Sequence, residues 1–304
     1  MKLFYTDQFV LPLPATHRFP MQKYALLRSR IAAAPWSAGH AFLVPPAATD
    51  AELLRVHAPE YLEKVTQGAM DREDIKRLGF PWSPELIERS RRSSGATLAA
   101  GHAALHDGFA ANLAGGTHHA FRDRAEGFCI FNDTVVAARE LQAAGLIRRA
   151  VVIDLDVHQG NGTAALARDD DTIFTFSMHS ARNYPFEKEV SDLDVALEDG
   201  TGDAEYVTAL QAALPDVLAR AEADIAFFLA GADPYEGDRL GRLSLTKAGL
   251  AARDRMVFAA CREASLPVVV SMAGGYSPQI EDIVDIQAET VRLGLSLLSA
   301  PGGT

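Results

Sequence analysis

The chain has 304 residues, 48% of them hydrophobic, and a formal net charge of −11. That is enough apolar chain for a sizeable core, and it excludes a disordered or low-complexity polypeptide. The acidic balance argues against a fold-wide nucleic-acid surface, and two cysteines outside any CxxC pattern argue against a disulfide framework or a cysteine-ligated metal.

In chain order, the opening MKLFYTDQFVLPLP lacks the apolar core and cleavage site of a signal peptide. No apolar run approaches the roughly 18 residues of a membrane span, and Cys129 and Cys261 suit a reducing compartment, so a cytoplasmic protein is expected. Short apolar runs predict strands at Leu3–Tyr5, Ala41–Val44, Leu113–Ala114, Ala150–Leu155, Ile173–Ser177, Ile225–Ala230 and Val268–Met272. Helix-length patterns lie between them at Gln22–Ala33, Pro59–Gly68, Pro84–Asp107, Asp133–Ala144, Ala204–Ala223, Thr246–Ala264 and Gln279–Leu298. Asp203 and Thr246 stand where helix N-caps are wanted. Continuous apolar strands alternating with helices predict an α/β fold whose mostly parallel sheet is covered on both faces. No linker or repeat divides the chain, so residues 1–304 are expected to form one domain. The basic run Glu88-Arg89-Ser90-Arg91-Arg92 reads as a solvated helix face, and Met178–Gly202 as a long irregular loop of the kind that carries function.

VVIDLDVHQGNG, residues 151–162, interleaves two carboxylates with five apolar residues. In a strand, Asp154, Asp156 and His158 share one face. Burying unpaired carboxylates is costly unless a cation or hydrogen bonds satisfy them, and parallel sheets place ligands beyond the carboxyl ends of their strands. DIAFFLAGADPYEGD, residues 224–238, repeats the pattern and ends on Asp233. Two carboxylates and one imidazole with an open position describe a catalytic zinc site better than a structural one. VVVSMAGGYSP, residues 268–278, brings Gly274 and Gly275 to the same edge, where the backbone can approach closely, and presents Tyr276, a phenol suited to an oxyanion. GGTHHAFRDRAEGFCIFND, residues 115–133, supplies His118 and His119. Adjacent residues in an extended turn point different ways, so each histidine needs its own partner, Asp154 and Asn161 being the candidates.

The order HH, DxDxH, AD, GGY, each after an apolar strand, resembles the histone deacetylase superfamily of zinc-dependent deacylases from about Leu3 to Leu298. The segments GFPWSPEL, HSARNYPFEKEVSDLDV, DGTGDAEY and GDRLGRLSLT look most like its class IV branch and bacterial relatives. The resemblance implies an arginase/deacetylase-type fold and one zinc ion on Asp156, His158 and Asp233. His118 and His119 match the paired histidines beside the attacking water, Asp154 the carboxylate behind the first, and Tyr276 the tyrosine that polarises the scissile carbonyl. Gly127, Phe128, Tyr184 and Leu240, with Gly274 and Gly275, match the walls of a narrow acyl-lysine tunnel. A potassium ion is implied near Asp154, Asp156, His158, Ser177 and Met178. Some family members carry a second aspartate where this chain has Asn161, and the amide should leave His119 with a lower pKa and favour it as the neutral base.

The implied reaction is hydrolysis of an Nε-acyl-lysine, with an acetyl or longer fatty acyl group. Deacetylation of a polyamine or other small acylated amine is the alternative, and a non-catalytic acyl-lysine binding module is a third reading. Net charge −11 would tolerate basic peptides or acetylated polyamines. A two-manganese ureohydrolase of the arginase type would need carboxylates that Gly160 and Gly231 replace. The sequence does not define the oligomeric state.

Overall fold

A computed structural model of the chain describes residues 1–14 and 17–298; residues 15–16 and 299–304, included in the expected 1–304 domain, lie outside the described residues. The strands are β1 (Lys2–Phe4), β2 (Ala41–Leu43), β3 (Phe109–Asn112), β4 (Ala150–Asp154), β5 (Ile173–Ser180), β6 (Leu193–Leu197), β7 (Ile225–Leu229) and β8 (Val268–Ser271). They form one sheet in the order β2-β1-β3-β8-β7-β4-β5-β6, with every described pairing parallel. The helices are α1 (Lys23–Ala32), α2 (Asp50–Leu53), α3 (Pro59–Thr66), α4 (Arg72–Leu78), α5 (Pro84–Asp107), α6 (Asp133–Ala143), α7 (Asn161–Ala167), α8 (Asp203–Ala221), α9 (Lys247–Glu263) and α10 (Ile280–Leu298).

Two apolar layers hold helices to the sheet. Alternation along β4 sends Val151 and Ile153 to the face packed by α1, α8, α9 and α10, while Ala150 and Val152 join the face packed by α3, α5 and α6. This two-faced burial explains why the central strands are apolar throughout.

Several expectations are corrected. The strand expected at Leu113–Ala114 is instead Phe109–Asn112, because Gly108 ends α5 in the left-handed conformation and the strand starts at once. FAAN has weak strand propensity and is held by partners on both sides, β1 and β8. The irregular stretch Met178–Gly202 contains the end of β5 and all of the edge strand β6. Asp203 is the first helical residue and not the cap. Its carboxylate accepts from the backbone N–H (2.8 Å) and hydroxyl (2.6 Å) of Thr246, which does cap α9, and so ties the starts of α8 and α9 together. The basic run is not a solvated face either. Arg89 is buried and donates to the carbonyls of Thr6 and Phe9, Arg91 reaches Ala48, and Arg92 reaches Pro45. These arginines fasten incoming loops to α5. No helix among the described residues is long and apolar enough to cross a membrane.

Candidate metal centre and active site

The four sequence motifs follow β3, β4, β7 and β8. These are consecutive in the sheet, so their carboxyl ends deliver the motif residues to one place. β4 stops at Asp154, one residue earlier than expected, because side chains take over from the ladder. The Asp156 N–H donates to Asp154 Oδ1 (3.2 Å) and the His158 N–H to Asp156 Oδ1 (2.9 Å). Asp156 and His158 are therefore placed by successive aspartate turns and not by strand pleat.

Asp156, His158 and Asp233 are all buried, and their ligand atoms lie within 4.8 Å of one another. His158 Nδ1 is 2.9 Å from Asp156 Oδ1 and 3.3 Å from Asp233 Oδ2. The other carboxylate oxygens are engaged: Asp156 Oδ2 accepts from the Gly274 N–H (2.7 Å) and Asp233 Oδ1 from the Val157 N–H (3.0 Å). Asp233 Oδ2 is buried and accepts no hydrogen bond. Burial and the charge of Asp156 push the Asp233 carboxyl up to about 7. Burial pulls His158 down, but its hydrogen bond to Asp156 and the negative charges of Asp156 and Asp233 prevail and push it up to about 10. A buried orphan oxygen facing two further donors is a cation site by its chemistry, and a two-carboxylate, one-imidazole set fits a zinc ion with an open position. The backbone is shaped around it. A Cβ on Gly274 would fall 1.8 Å from Asp233 Oδ2, and one on Gly231 would fall 2.7 Å from both Asp156 Oδ2 and Asp233 Oδ1. Beneath the site, fully buried Arg253 donates to the carbonyls of Leu155 (3.2 Å) and Gly231 (2.6 Å), clamping the ends of β4 and β7.

The histidine pair sits on a turn fixed from below. Asp133, the first residue of α6, accepts from the N–H groups of Gly116 (3.0 Å) and Thr117 (2.8 Å). The two rings do not diverge as expected; their centroids are 4.1 Å apart, and both line one cavity. Each nevertheless has its own partner. His118 Nδ1 donates to Asp154 Oδ2 (2.6 Å), and His119 Nδ1 to Asn161 Oδ1 (2.7 Å). Burial lowers the His118 pKa, but the charges of Asp154 and Asp156 outweigh it and push it up to about 9. His119 is held well below the usual imidazole value by burial first and by the positive charges of His118 and His158 second. The bond to the neutral Asn161 amide works against that shift without reversing it. Gly160 has no room for a side chain, since a Cβ would lie 2.3 Å from Asp154 Oδ2.

The cavity above these groups has a volume of about 850 Å³. Gly127, Phe128, Tyr184, Leu240 and Gly274 line it, and Tyr276 does too. Gly275 does not; its carbonyl accepts from Lys23 Nζ (3.2 Å). The Tyr276 N–H donates to Asp238 Oδ2 (2.5 Å), and burial and the nearby Asp233 and Asp156 push its phenol pKa well up, so its hydroxyl stays a donor. Ser177 lies across from Asp154 in the β4–β5 register, its hydroxyl 3.0 Å from His179 Nδ1, and Met178 is the next residue of the same strand.

Sequence reasoning missed Glu126, Lys23 and Arg253. Glu126 Oε1 accepts from Asn161 Nδ2 (3.0 Å) and from the Tyr184 hydroxyl. Lys23, 1% exposed, sits over the Tyr276 ring at 5.4 Å. A buried Lys or Glu is the kind of exception worth asking about, but burial was not readable at these positions.

The histone deacetylase domain family matches residues 17–290. An uncharacterized protein from Picosynechococcus is 41% identical, over 92% of this chain and 93% of its own. Histone deacetylase 2 of Arabidopsis thaliana is 31% identical over 78% of this chain and 63% of its own, and the histone deacetylase-like amidohydrolase of Pseudomonas aeruginosa 32% over 76% and 65%. The chain thus spans just under two thirds of those last two. The crystal structure of the HDA15 HD domain superposes with a TM-score of 0.81 at 22% identity, over 98% of this chain and 92% of that one, which shows the shared fold. The chain belongs to the histone deacetylase family.

Proposed function

We propose that this chain is a zinc-dependent deacylase that hydrolyses the Nε-acyl-lysine amide of proteins, with a single zinc on Asp156, His158 and Asp233. The observation that carries the reading is the orphaned oxygen of Asp233, buried beside two further donors at the floor of a cavity that both histidines and Tyr276 also line. When bound, zinc supplies a Lewis acid that polarises the acyl carbonyl and acidifies a water. The chain's own residues do the rest. His119 donates its Nδ1–H in a hydrogen bond to Asn161 and so offers a bare Nε2, the general base for the attacking water and then the acid for the departing amine. His118, paired with Asp154, keeps a positive charge beside the developing anion. The Tyr276 hydroxyl donates to the tetrahedral oxyanion.

The absence of carboxylates at Gly160 and Gly231, and the lack of room for any, supports one metal over two. The segments around GFPWSPEL and HSARNYPFEKEVSDLDV support the class IV likeness, and two buried free cysteines support a reducing cytoplasm. The β4–β5 register at Asp154 and Ser177 supports a potassium ion there. One panel tests the reading: acetyl-, butyryl-, octanoyl- and myristoyl-lysine peptides, with and without a zinc chelator. Turnover of at least one peptide, lost on chelation and restored by zinc, is expected; bound zinc with no turnover of any acyl chain would favour the binding-module reading instead.

A further inference from the structure

The mouth of the cavity is charged against the rest of the molecule. The chain has 29 basic and 40 acidic residues. Among the described residues that line the cavity, the basic ones are Arg18, Lys76, Arg77, Arg182, Arg239 and Arg242, whereas the carboxylates are Glu73 and, on the floor, Asp156. Three of the cations are partly answered: Arg77 by Asp74 (3.0 Å), Arg242 by Asp199 (3.0 Å), and Arg182 by Glu198 (3.6 Å) in a pair that is mostly exposed. The cations without such a partner therefore carry most of the net charge at the mouth. Arg18, Lys76 and Arg239 make no ion pair among the described residues.

The two best-placed cations stand on the tunnel walls. The Arg18 guanidinium lies 5.2 Å from the centre of the Phe128 ring. Arg239 immediately precedes Leu240 on a loop pinned from inside, where Asp238 Oδ1 accepts from the N–H groups of Leu240 (2.8 Å) and Gly241 (3.0 Å). Asp238 thereby spends its carboxylate on backbone, and Arg239 is exposed. A cleft whose rim carries an excess of one sign of charge focuses its field on what enters, so this mouth favours anions over cations. Net charge suggested that basic peptides and acetylated polyamines would be tolerated; the local field opposes both.

We propose that the acylated amine taken by this site is flanked by carboxylates, as in an acyl-lysine set among acidic residues of a peptide. The inference rests on the deacylase reading. Cations arise from segments around residues 18, 76, 182 and 239, so they surround the mouth and answer charges on both sides of the acyl-lysine, which a small molecule with one carboxylate would not supply.

The test uses zinc-loaded protein and acetyl-lysine peptides identical except for Glu, Gln or Lys flanks, with acetylputrescine and N-acetyl-4-aminobutyrate alongside, at low and high salt. The Glu-flanked peptide should exceed the Lys-flanked one in kcat/KM by roughly tenfold or more at low salt, and the gap should shrink at high salt. Arg18→Glu and Arg239→Glu, each confirmed folded by its zinc content and melting temperature, should each narrow or invert that order. Equal rates on the three peptides, or a preference for Lys flanks, would overturn the inference. Turnover of N-acetyl-4-aminobutyrate above the Glu-flanked peptide would overturn the peptide as source of the carboxylate. No turnover of any compound would overturn the deacylase reading itself.

Discussion

His119 donates its Nδ1–H to the Asn161 amide oxygen across 2.7 Å, and that hydrogen bond cannot reverse its direction. An asparagine amide standing alone could turn around and offer nitrogen in place of oxygen. Here its nitrogen is committed to Glu126, a carboxylate that can only accept, so the oxygen must face His119. A carboxylate two links away therefore fixes the tautomer of the proposed base.

Replacing Glu126 with glutamine removes that commitment, since a glutamine amide can either donate or accept. The expected outcome for Glu126→Gln is a fall in kcat of about tenfold, with KM and zinc content unchanged. Steady-state kinetics beside metal analysis checks it; an unchanged kcat would mean that Asn161 holds its orientation without help.

Tyr276→Phe removes the hydroxyl and leaves the ring. The loss in kcat should be about 10²–10³-fold, with zinc retained, because the proposed role of the phenol is to donate to the oxyanion and not to hold the metal. Full activity in this variant would remove Tyr276 from the chemistry.

Gly274→Ala tests the metal centre without measuring activity. Its methyl would fall 1.8 Å from the unpartnered Asp233 oxygen and 2.6 Å from Asp156 Oδ2, so the donor set must open. Zinc affinity should drop at least about tenfold, read by competition with a chelator. Undiminished affinity would place the ion elsewhere.

His57 sets a pH dependence of stability away from the site. Its Nδ1 donates to the Phe121 carbonyl (2.9 Å), and its Nε2 accepts from the Asn132 N–H (3.1 Å). Both bonds together require the neutral ring, and burial holds the pKa down at about 4. The unfolded chain binds this proton near pH 6.5, so the contribution is complete above that value and drains away as pH falls toward 4. The full effect is on the order of 3 kcal/mol. Urea unfolding of the wild type should lose stability across this window, and His57→Gln should lose less there; parallel curves for the two proteins would contradict the assignment.

The catalytic strands and their motifs were legible because buried strands that end in carboxylates are rare and expensive, and DLDVH and AGAD announce themselves for that reason. The sheet's parallel order followed from apolar strands alternating with helices. FAAN was not legible as β3, because alanine and asparagine carry little strand preference and only the neighbours on both sides make them a strand. Nor was the support of the site. Lys23 meets Gly275, Arg253 meets Leu155, and Glu126 meets Asn161 across long stretches of chain, and each looks like an ordinary surface residue until the fold buries it. The cations at the cavity mouth were not legible for a related reason: net charge is a sum over the whole surface, whereas the fold gathers Arg18, Lys76, Arg182 and Arg239 from separate segments.

The central claim is that one zinc on Asp156, His158 and Asp233 makes this chain a deacylase. Titrating zinc into metal-free protein while following turnover of an acyl-lysine peptide tests it most directly. Activity should rise linearly and break at one equivalent per chain, and Asp233→Ala should neither retain zinc nor turn over substrate. A break at two equivalents, activity restored by manganese at two ions per chain, or full zinc occupancy with no turnover of any acyl-lysine peptide would contradict the account.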